Sequence, residues 1–393
     1  MLNKIRSSIK PNEVIDAHVH IGGPPGEDEE MFYWSSDFTK SLSFEGIKLV
    51  TKLRPSRVNS IKYVNVLREQ IRNSENVSKA VLLALDEVYS DAQKIIKDET
   101  HLYVSNKYVA YLAQIYKEFL FGCSVHPYAQ DALERLWHCA ASGAVLCKWL
   151  PSAQQIDPTH PLSEKFYRGL ALLKLPLLIH VGPEETIPTS LNEDKEILFN
   201  SGTGEYGKNP GDGIRLAVDI GATVIIAHCG APLGPFFRRK SKYWEETYQK
   251  IVDKLLRKMP RRLYADISAF CLPGRFKYVK KIIPLAHENP GHFLYGSDYP
   301  IPAISFRDGN ALEEIMNAFG WLAQRTLPAD DLDKNFNLLQ SHFPAETFIR
   351  ASKILRNPQK RPLSLESYLN KLDIRKKKFF WFKLLSDRIR SSK

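Results

Sequence analysis

The stretch EVIDAHVH, Glu13–His20, decides the fold, because it is the first of eight short apolar runs that end in polar residues or in Gly or Pro. The other seven runs are Lys79–Asp86, Phe119–His126, Gly143–Pro151, Leu175–Gly182, Ala222–Gly230, Arg262–Phe270 and Phe293–Pro300. Near-continuous runs of Val, Ile and Leu are typical of parallel strands that are buried on both faces. We therefore predict eight buried parallel strands.

Helical periodicity fills the segments between these runs. Apolar residues spaced three and four apart predict helices over residues 61–71, 109–116, 133–140, 214–220, 243–258, 276–289 and 311–324. Gly221 follows the fourth of these helices, in a position where a left-handed residue commonly ends a helix. Strands that alternate with helices indicate parallel βαβ units, and eight of them favour a closed, TIM-like (β/α)8 barrel over an open sheet.

Two segments are longer than the connections of a simple barrel. Ile21–Ser78 follows the first strand, and Val181–Gly213 follows the fifth. Loops after barrel strands lie on the C-terminal face, where active sites form. We therefore expect inserted loops after strands 1 and 5, which either cover the site as a lid or decorate the surface.

The length of 393 residues suits one α/β barrel with insertions. We predict a catalytic barrel over residues 1–345 and a C-terminal helical extension over residues 346–393. The five scattered cysteines have no C-x-x-C spacing, which indicates reduced thiols. No apolar run approaches the ~20 residues that span a bilayer, and the N-terminus lacks a signal-peptide core, so we expect a cytoplasmic location.

Positive charge is concentrated in the C-terminal tail. Of the net charge of +11, residues 374–393 carry +7, from eight Lys or Arg and one acid, Asp387. The body is therefore only mildly basic, and we expect no nucleic-acid-binding face. The tail also contains FFWF at residues 379–382, which predicts either a helix packed on the barrel or a contact with a membrane surface or a partner protein. A homodimer is also compatible with the sequence.

Histidines and carboxylates recur at the ends of the predicted strands. His18 and His20 alternate on the first strand, so their side chains project to the same face at the barrel mouth. Further runs end in His180, His228 and Asp298. Burying such groups without partners is costly, and a metal ion supplies a partner. The mixed N/O set favours Zn²⁺, with Mn²⁺, Fe²⁺ or Co²⁺ as alternatives.

The motifs VIDAHVH, LLIHVG, IIAHCG and YGSDYP, in this order, resemble the amidohydrolase superfamily, in its amidohydrolase-related (amidohydrolase 2) branch. That branch includes hydrolases and decarboxylases such as aminocarboxymuconate-semialdehyde decarboxylase. The resemblance implies that His18, His20 and His180 bind a divalent metal. It implies that Asp298 binds the metal or accepts a proton from its water. It also implies that His228 acts as an acid or base, or polarises the substrate.

Lys148, near the end of the fourth strand, leaves three alternatives open. In some superfamily members a lysine at this place is carboxylated and bridges two metals, so Lys148 is a further candidate ligand. It could instead be a charge partner or substrate contact, or a lysine that extends its ammonium group to solvent.

Other polar residues near strand ends are candidates without a firm assignment. Asp266 and Ser268 alternate on the seventh strand and could both point inward, and His126 could face the site or cap its strand. Arg238, Arg239, Arg275 and Arg307 lie on the loops after strands six to eight, where one could clamp a substrate carboxylate. Glu184 and Glu185 form an acidic turn that is exposed or contacts the substrate.

These observations predict a metal-dependent hydrolase that acts on an ester, lactone or amide bond of a small organic molecule through metal-activated water. The same site would also suit a non-oxidative decarboxylase of an aromatic or enol carboxylic acid, and the sequence does not separate the two reactions. An inactive barrel docked to membranes through its basic tail is the alternative from another class.

Overall fold

Eight parallel strands form the central sheet of this protein, described here from a computed structural model that covers residues 8–41, 44, 59–184, 186–232, 241–272, 275–301 and 331–372. In the sheet, β1 (Ile15–His20) is followed in spatial order by β3 (Lys79–Leu83), β5 (Phe119–Cys123), β6 (Leu146–Trp149), β7 (Leu177–Ile179), β8 (Val224–Ile226), β9 (Leu263–Asp266) and β10 (Phe293–Leu294). Each strand lies within one of the eight predicted runs and is shorter than it, and after β1 the last residues of every run lie beyond the end of the strand.

The sheet closes into a (β/α)8 barrel, as predicted, through the segment that follows β10. The backbone N–H of Ala17 donates to Tyr295 O (3.2 Å), and the N–H of His20 donates to Tyr299 O (2.7 Å). In the other direction, the N–H of Asp298 donates to His18 O (2.9 Å). The first strand and the last chain segment therefore share hydrogen bonds across the seam, and Asp298 is held beside the two histidines of β1.

Helices cover the outside of the barrel. They are α1 (Ser36–Thr39), α2 (Ser60–Asn73), α3 (Asn106–Ile115), α4 (Ala132–Ala141), α5 (Pro161–Leu173), α6 (Glu193–Asn200), α7 (Asp212–Ile220), α8 (Ser241–Ile251), α9 (Phe276–Glu288), α10 (Asp331–Gln340) and α11 (Ala345–Ile354). The side chain of Asn59 caps α2 and that of Ser105 caps α3. Gly221 ends α7 in the left-handed conformation predicted for it. The helix predicted over residues 311–324 lies outside the described residues.

The apolar core has an inner and an outer part. The inner cluster includes Ile15 and Ala17 together with side chains from the other strands, and the larger outer cluster packs the strands against the helices. The pairing of β1 with β3 is irregular between Asp16 and Val19. Because of this irregularity Ala17 packs inside the barrel while the next residue, His18, also faces its mouth. Val19 packs outward against the helices, as predicted.

The first inserted segment builds a small second sheet near the barrel mouth. Its strand β2 (Phe32–Trp34) pairs antiparallel with β4 (Leu102–Val104), which comes from the connection after β3. Trp34 of β2 packs against Phe38 of α1, with their ring centroids 5.5 Å apart. The insertion is therefore not loose surface decoration, because it places aromatic side chains beside the ends of the strands.

The end of the described chain covers the opposite, N-terminal side of the barrel. Ala351 of α11 and Leu355 join the inner core cluster, and the N–H of Arg356 donates to Val145 O (3.0 Å) just before β6. The basic tail lies outside the described residues, so its contact with a membrane or partner and the domain division at residue 345 stay predictions. Within the described residues we find no helix long and apolar enough to cross a membrane.

Candidate metal centre

A pocket opens at the C-terminal ends of the strands, and the residues predicted for the site all line it. They are His18, His20, Lys148, His180, His228 and Asp298. The space within the pocket, including its open mouth, is about 1180 Å³. Side chains that are up to 280 residues apart in the sequence therefore share one cavity, because parallel barrel strands all end on the same face.

Two imidazoles and one carboxylate lie close enough to share a metal ion. Asp298 Oδ1 is 3.4 Å from His18 Nε2 and 3.2 Å from His20 Nε2. One ligand atom from each of these three residues lies within 4.8 Å of the others. Neutral imidazole nitrogens and an ionised carboxylate are ligands of Zn²⁺ and related divalent ions. The donor set of this chain therefore fits a divalent metal.

Asp266 on β9 fixes the tautomer of His18. Its Oδ2 lies 2.9 Å from His18 Nδ1. Burial alone would raise the pKa of Asp266, but its contacts with His18 hold the pKa below the usual range, so the group is ionised and only accepts hydrogen bonds. His18 Nδ1 must then carry the proton, which leaves the lone pair of Nε2 directed at the pocket. A carboxylate that orients a histidine in this way is typical of metal sites.

We expect Asp266→Asn to weaken metal binding by about 10- to 100-fold, because the amide can donate to His18 Nδ1 and thereby favour the tautomer with a protonated Nε2. Competition with a chromophoric chelator measures the dissociation constant. Asp253→Asn, on the exposed helical segment after α8, is the matched control and should bind metal as the wild type does. An unchanged constant in Asp266→Asn would show that Asp266 does not orient a ligand.

Asp266 also holds His228, together with Ser268, which follows β9. Its backbone N–H donates to Asp266 Oδ1 (2.7 Å), and its Nδ1 lies 2.8 Å from Ser268 Oγ and 3.2 Å from Ser268 O. Burial lowers the pKa of His228 well below its ordinary value, so the ring is neutral near pH 7. Since a carbonyl only accepts, Nδ1 carries the proton and Nε2 is the basic atom. That Nε2 is 3.9 Å from Asp298 Oδ2.

The two candidate catalytic residues both occupy left-handed backbone conformations. His228 has φ 53° and Asp298 has φ 65°. The sequence predicted that these residues end strands, but β8 stops at Ile226 and β10 stops at Leu294. A left-handed non-glycine residue costs about 1–3 kcal/mol, and such strain concentrates at functional sites. The directions of these two side chains therefore do not follow from strand alternation.

Gly296 allows the chain before Asp298 to approach β1. A Cβ at this position would lie 2.9 Å from His18 Cβ and 3.2 Å from Ser268 Cβ. Asp16 Oδ1 also accepts from the backbone N–H groups of His18 (3.1 Å) and Ser297 (2.9 Å), which ties the two segments together. The glycine of the G-S-D motif is therefore required by packing, and it brings the carboxylate to the histidines.

Lys148 on β6 reaches the same centre. Its side chain is buried, and its Nζ lies 3.1 Å from His18 Nε2. Burial lowers the pKa of Lys148 to about 8. The ammonium group thus contacts the nitrogen whose lone pair would bind a metal. This position excludes the alternative of a lysine extended to solvent and places Lys148 among the polar groups of the pocket.

His180 lines the pocket without joining the group of ligand atoms around Asp298. Its Nε2 lies 3.4 Å from Pro183 O and 3.8 Å from the Glu184 carboxylate. Its ring centroid is 5.4 Å from that of His228. The structure therefore brings three of the four predicted ligands together, and the assignment of His180 as a ligand stays a prediction.

Among the less certain candidates, His126 does not line the pocket, whereas Arg275 and Glu184 do. His126 is fully buried, with its Nε2 2.7 Å from Gln154 O, and its Nδ1 accepts from the N–H of Tyr128 (3.1 Å). It holds the loops after the strands in place. Arg238, Arg239, Arg307 and Glu185 lie outside the described residues.

We expect His126 to make the protein less stable at acid pH. Burial lowers the pKa of His126 to about 3, whereas an unfolded histidine titrates near 6.5, so protons bind preferentially to the unfolded chain between these values. The contribution of His126 to the free energy of unfolding is therefore fully present above pH 6.5. It falls as the pH decreases, by about 2 kcal/mol between pH 6.5 and 5. Urea titrations should show a weaker pH dependence in His126→Gln. If the free energy of unfolding depended on pH equally in the variant and the wild type, this account would be wrong.

Sequence reasoning missed the apolar half of the pocket. Trp34, Phe38, Leu102 and Val104 line it. Trp34 and Phe38 come from the first inserted segment, and Leu102 and Val104 come from β4, in the connection after β3. Trp34 and Phe38 follow a stretch rich in Gly, Pro and acidic residues, and Leu102 and Val104 lie outside the eight predicted strands. Only the unusual length of the insertion indicated that it could reach the site.

A family model described as Amidohydrolase matches residues 15–336. The search of curated proteins found no match. Similar solved structures include 5-carboxyvanillate decarboxylase from Sphingomonas paucimobilis, at 12% identity and a TM-score of 0.50 over 88% of this chain and 99% of that one. They also include an uncharacterised TIM-barrel protein from Bordetella bronchiseptica, at 14% identity and a TM-score of 0.47 over 87% and 99%. A third is 2,6-dihydroxybenzoate decarboxylase from Rhizobium, at 13% identity and a TM-score of 0.42 over 84% and 99%.

Proposed function

The chain belongs to the amidohydrolase family, and from this premise we propose that it is a metal-dependent hydrolase acting on an ester, lactone or amide bond of a small organic molecule. One observation carries the proposal: the Asp298 carboxylate lies within 3.2–3.4 Å of two imidazole nitrogens in a pocket at the barrel mouth. A carboxylate in this position can serve both as a ligand and as a proton acceptor.

His18, His20 and Asp298 would hold the metal, with His180 as the fourth predicted ligand. When bound, a divalent ion lowers the pKa of a water molecule to about 7 and polarises a carbonyl oxygen. Burial alone would raise the pKa of Asp298, but the neighbouring His228 and His18 hold the pKa well below its usual range. Asp298 is therefore ionised at neutral pH, and its Oδ2 can accept a proton from the attacking water.

His228 would carry that proton to the leaving group. Its Nε2 lies 3.9 Å from Asp298 Oδ2 and has a free lone pair, since Nδ1 is the protonated nitrogen. The contacts of Nδ1 with Ser268 hold the ring in this orientation, and the backbone N–H bond to Asp266 fixes the main chain of His228. A positioned imidazole of this kind contributes about 10²- to 10⁴-fold to rate in proton transfer.

The test compares two reactions in the same metal-loaded protein. Lactones, aryl esters and amides are assayed by acid release, and dihydroxybenzoates are assayed by CO2 release. We expect hydrolysis that disappears on chelation and returns when Zn²⁺ or Mn²⁺ is added. Asp298→Asn, prepared in parallel, excludes a contaminating esterase.

Two outcomes would overturn the proposal. Turnover that survives chelation would show that the metal does not take part. Release of CO2 without hydrolysis of any ester, lactone or amide would identify the protein as a decarboxylase with the same metal ligands.

A further inference from the structure

Arg275 is a buried cation on the wall of the same pocket. It follows β9 immediately before α9, its side chain is 5% exposed, and it lines the pocket together with His228, Asp298 and Leu272. Burial lowers the pKa of the guanidinium, but the acids Asp298, Asp266 and Glu184 raise it, and arginine remains protonated in proteins. The pocket therefore contains a permanent positive charge beside the metal centre.

This guanidinium has unused hydrogen-bond donors. Within the described part of the chain, neither Nε nor Nη1 of Arg275 has a hydrogen-bond partner, although both atoms are buried. Buried cations are normally paired, because an unpaired charge loses its hydration without compensation. Free guanidinium donors bind a carboxylate through charge-assisted hydrogen bonds. The unpaired donors therefore point to an anion that none of the described residues supplies.

The acids of the pocket have other partners. Asp298 contacts His18 and His20, and Glu184 Oε1 accepts from the backbone N–H groups of Thr186 (2.8 Å) and Ile187 (3.2 Å). The charged side chains that line the pocket are two cations, Lys148 and Arg275, and two anions, Asp298 and Glu184, so their charges cancel. A bound divalent ion would leave the pocket positive, which favours an anionic substrate.

The other part of the pocket favours an apolar group. Trp34 and Phe38 of the first inserted segment and Leu102 and Val104 of β4 form it together with Leu85 and Ile187. Trp34 Nε1 already donates to Gly23 O (2.9 Å), so the indole presents its apolar faces. Ligand pockets of this kind combine an apolar wall with a few polar groups that fix orientation.

We propose that Arg275 binds the carboxylate of the substrate and that the aromatic insertion around Trp34 holds its apolar body. The substrate class is then an amphiphilic organic acid that carries the reacting bond between these two parts. This inference rests on the proposed function, because it assigns the substrate of that same pocket. Arg275 acts here as a specificity-determining residue.

The experiment measures binding of 1-naphthoate and of its neutral analogue, 1-naphthamide, to the Zn²⁺-loaded full chain by calorimetry. We expect the wild type to bind naphthoate at least about 10-fold more tightly than naphthamide, since a buried charged hydrogen bond carries more than about 1.4 kcal/mol. Arg275→Gln should lose this preference and keep its affinity for naphthamide. Arg275→Lys, which keeps the charge, should retain part of the preference for naphthoate.

Controls separate this contact from other effects. Arg262→Gln, an exposed arginine just before β9, should leave the preference unchanged. Trp34→Leu should weaken the binding of both probes to the same extent. Metal content and melting temperature of each variant show whether the pocket is intact. If Arg275→Gln lost its metal or failed to fold, then Arg275 would serve the structure, and the inference would be wrong.

The metal itself could attract a carboxylate, and the design distinguishes this case. If the preference for naphthoate persists in Arg275→Gln and disappears after chelation, the metal is the anion site and the inference fails. Binding is measured without turnover, so a protein that hydrolyses nothing can still show the preference. Conversely, normal hydrolysis with no effect of Arg275→Gln would overturn this inference and leave the proposed function standing.

Discussion

Alanine at both His18 and His20 is expected to reduce bound metal from about one ion per chain to nearly none, because it removes two of the predicted protein ligands. The Nε2 atoms of both histidines lie within 3.2–3.4 Å of Asp298 Oδ1. Elemental analysis of the purified variant measures the loss, and activity should disappear with the metal. Thermal unfolding shows whether the barrel is still folded.

A matched variant controls for the loss of two histidines. His138 and His287 lie on exposed helical positions of α4 and α9. His138→Ala combined with His287→Ala should therefore keep full metal content and activity. Full metal retention in the His18 and His20 variant would refute the ligand assignment.

Asp298→Asn is expected to lower kcat by about 10³-fold, because an amide cannot accept a proton at neutral pH. The side chain keeps its size and one oxygen that can face the metal, so metal content should fall less than activity. Single-turnover rates at matched metal occupancy separate the two effects. Asp219→Asn, on the exposed side of α7, should behave as the wild type. A kcat within about tenfold of the wild type would remove Asp298 from the chemistry.

The strand order and the positions of the site residues could be predicted because they follow from local patterns. Each of the eight strands lies in a run of apolar residues, and each run carries its polar group at the same end. Since parallel strands all end at one face, His18, His20, Lys148 and Asp298 had to converge there. The convergence follows from topology and needs no knowledge of loop conformation.

The details of the site depend on backbone geometry that the sequence does not encode locally. The irregular pairing in β1 and the left-handed residues His228 and Asp298 break the simple alternation of strands. Asp266 and Ser268 were recognisable as an alternating pair, but their contacts with two different histidines depend on the distances between strands. The aromatic wall of the pocket depends on how the insertion folds back, which its composition does not show.

The central claim is that His18, His20, His180 and Asp298 bind one divalent cation at the barrel mouth. Anomalous diffraction at the zinc edge, on crystals of the Zn²⁺-loaded protein, tests it most directly. We expect one peak in the pocket, about 2.0–2.2 Å from the imidazole Nε2 atoms and from the Asp298 carboxylate. A peak that contacts none of these groups, or no peak in the pocket at full zinc loading, would contradict the account.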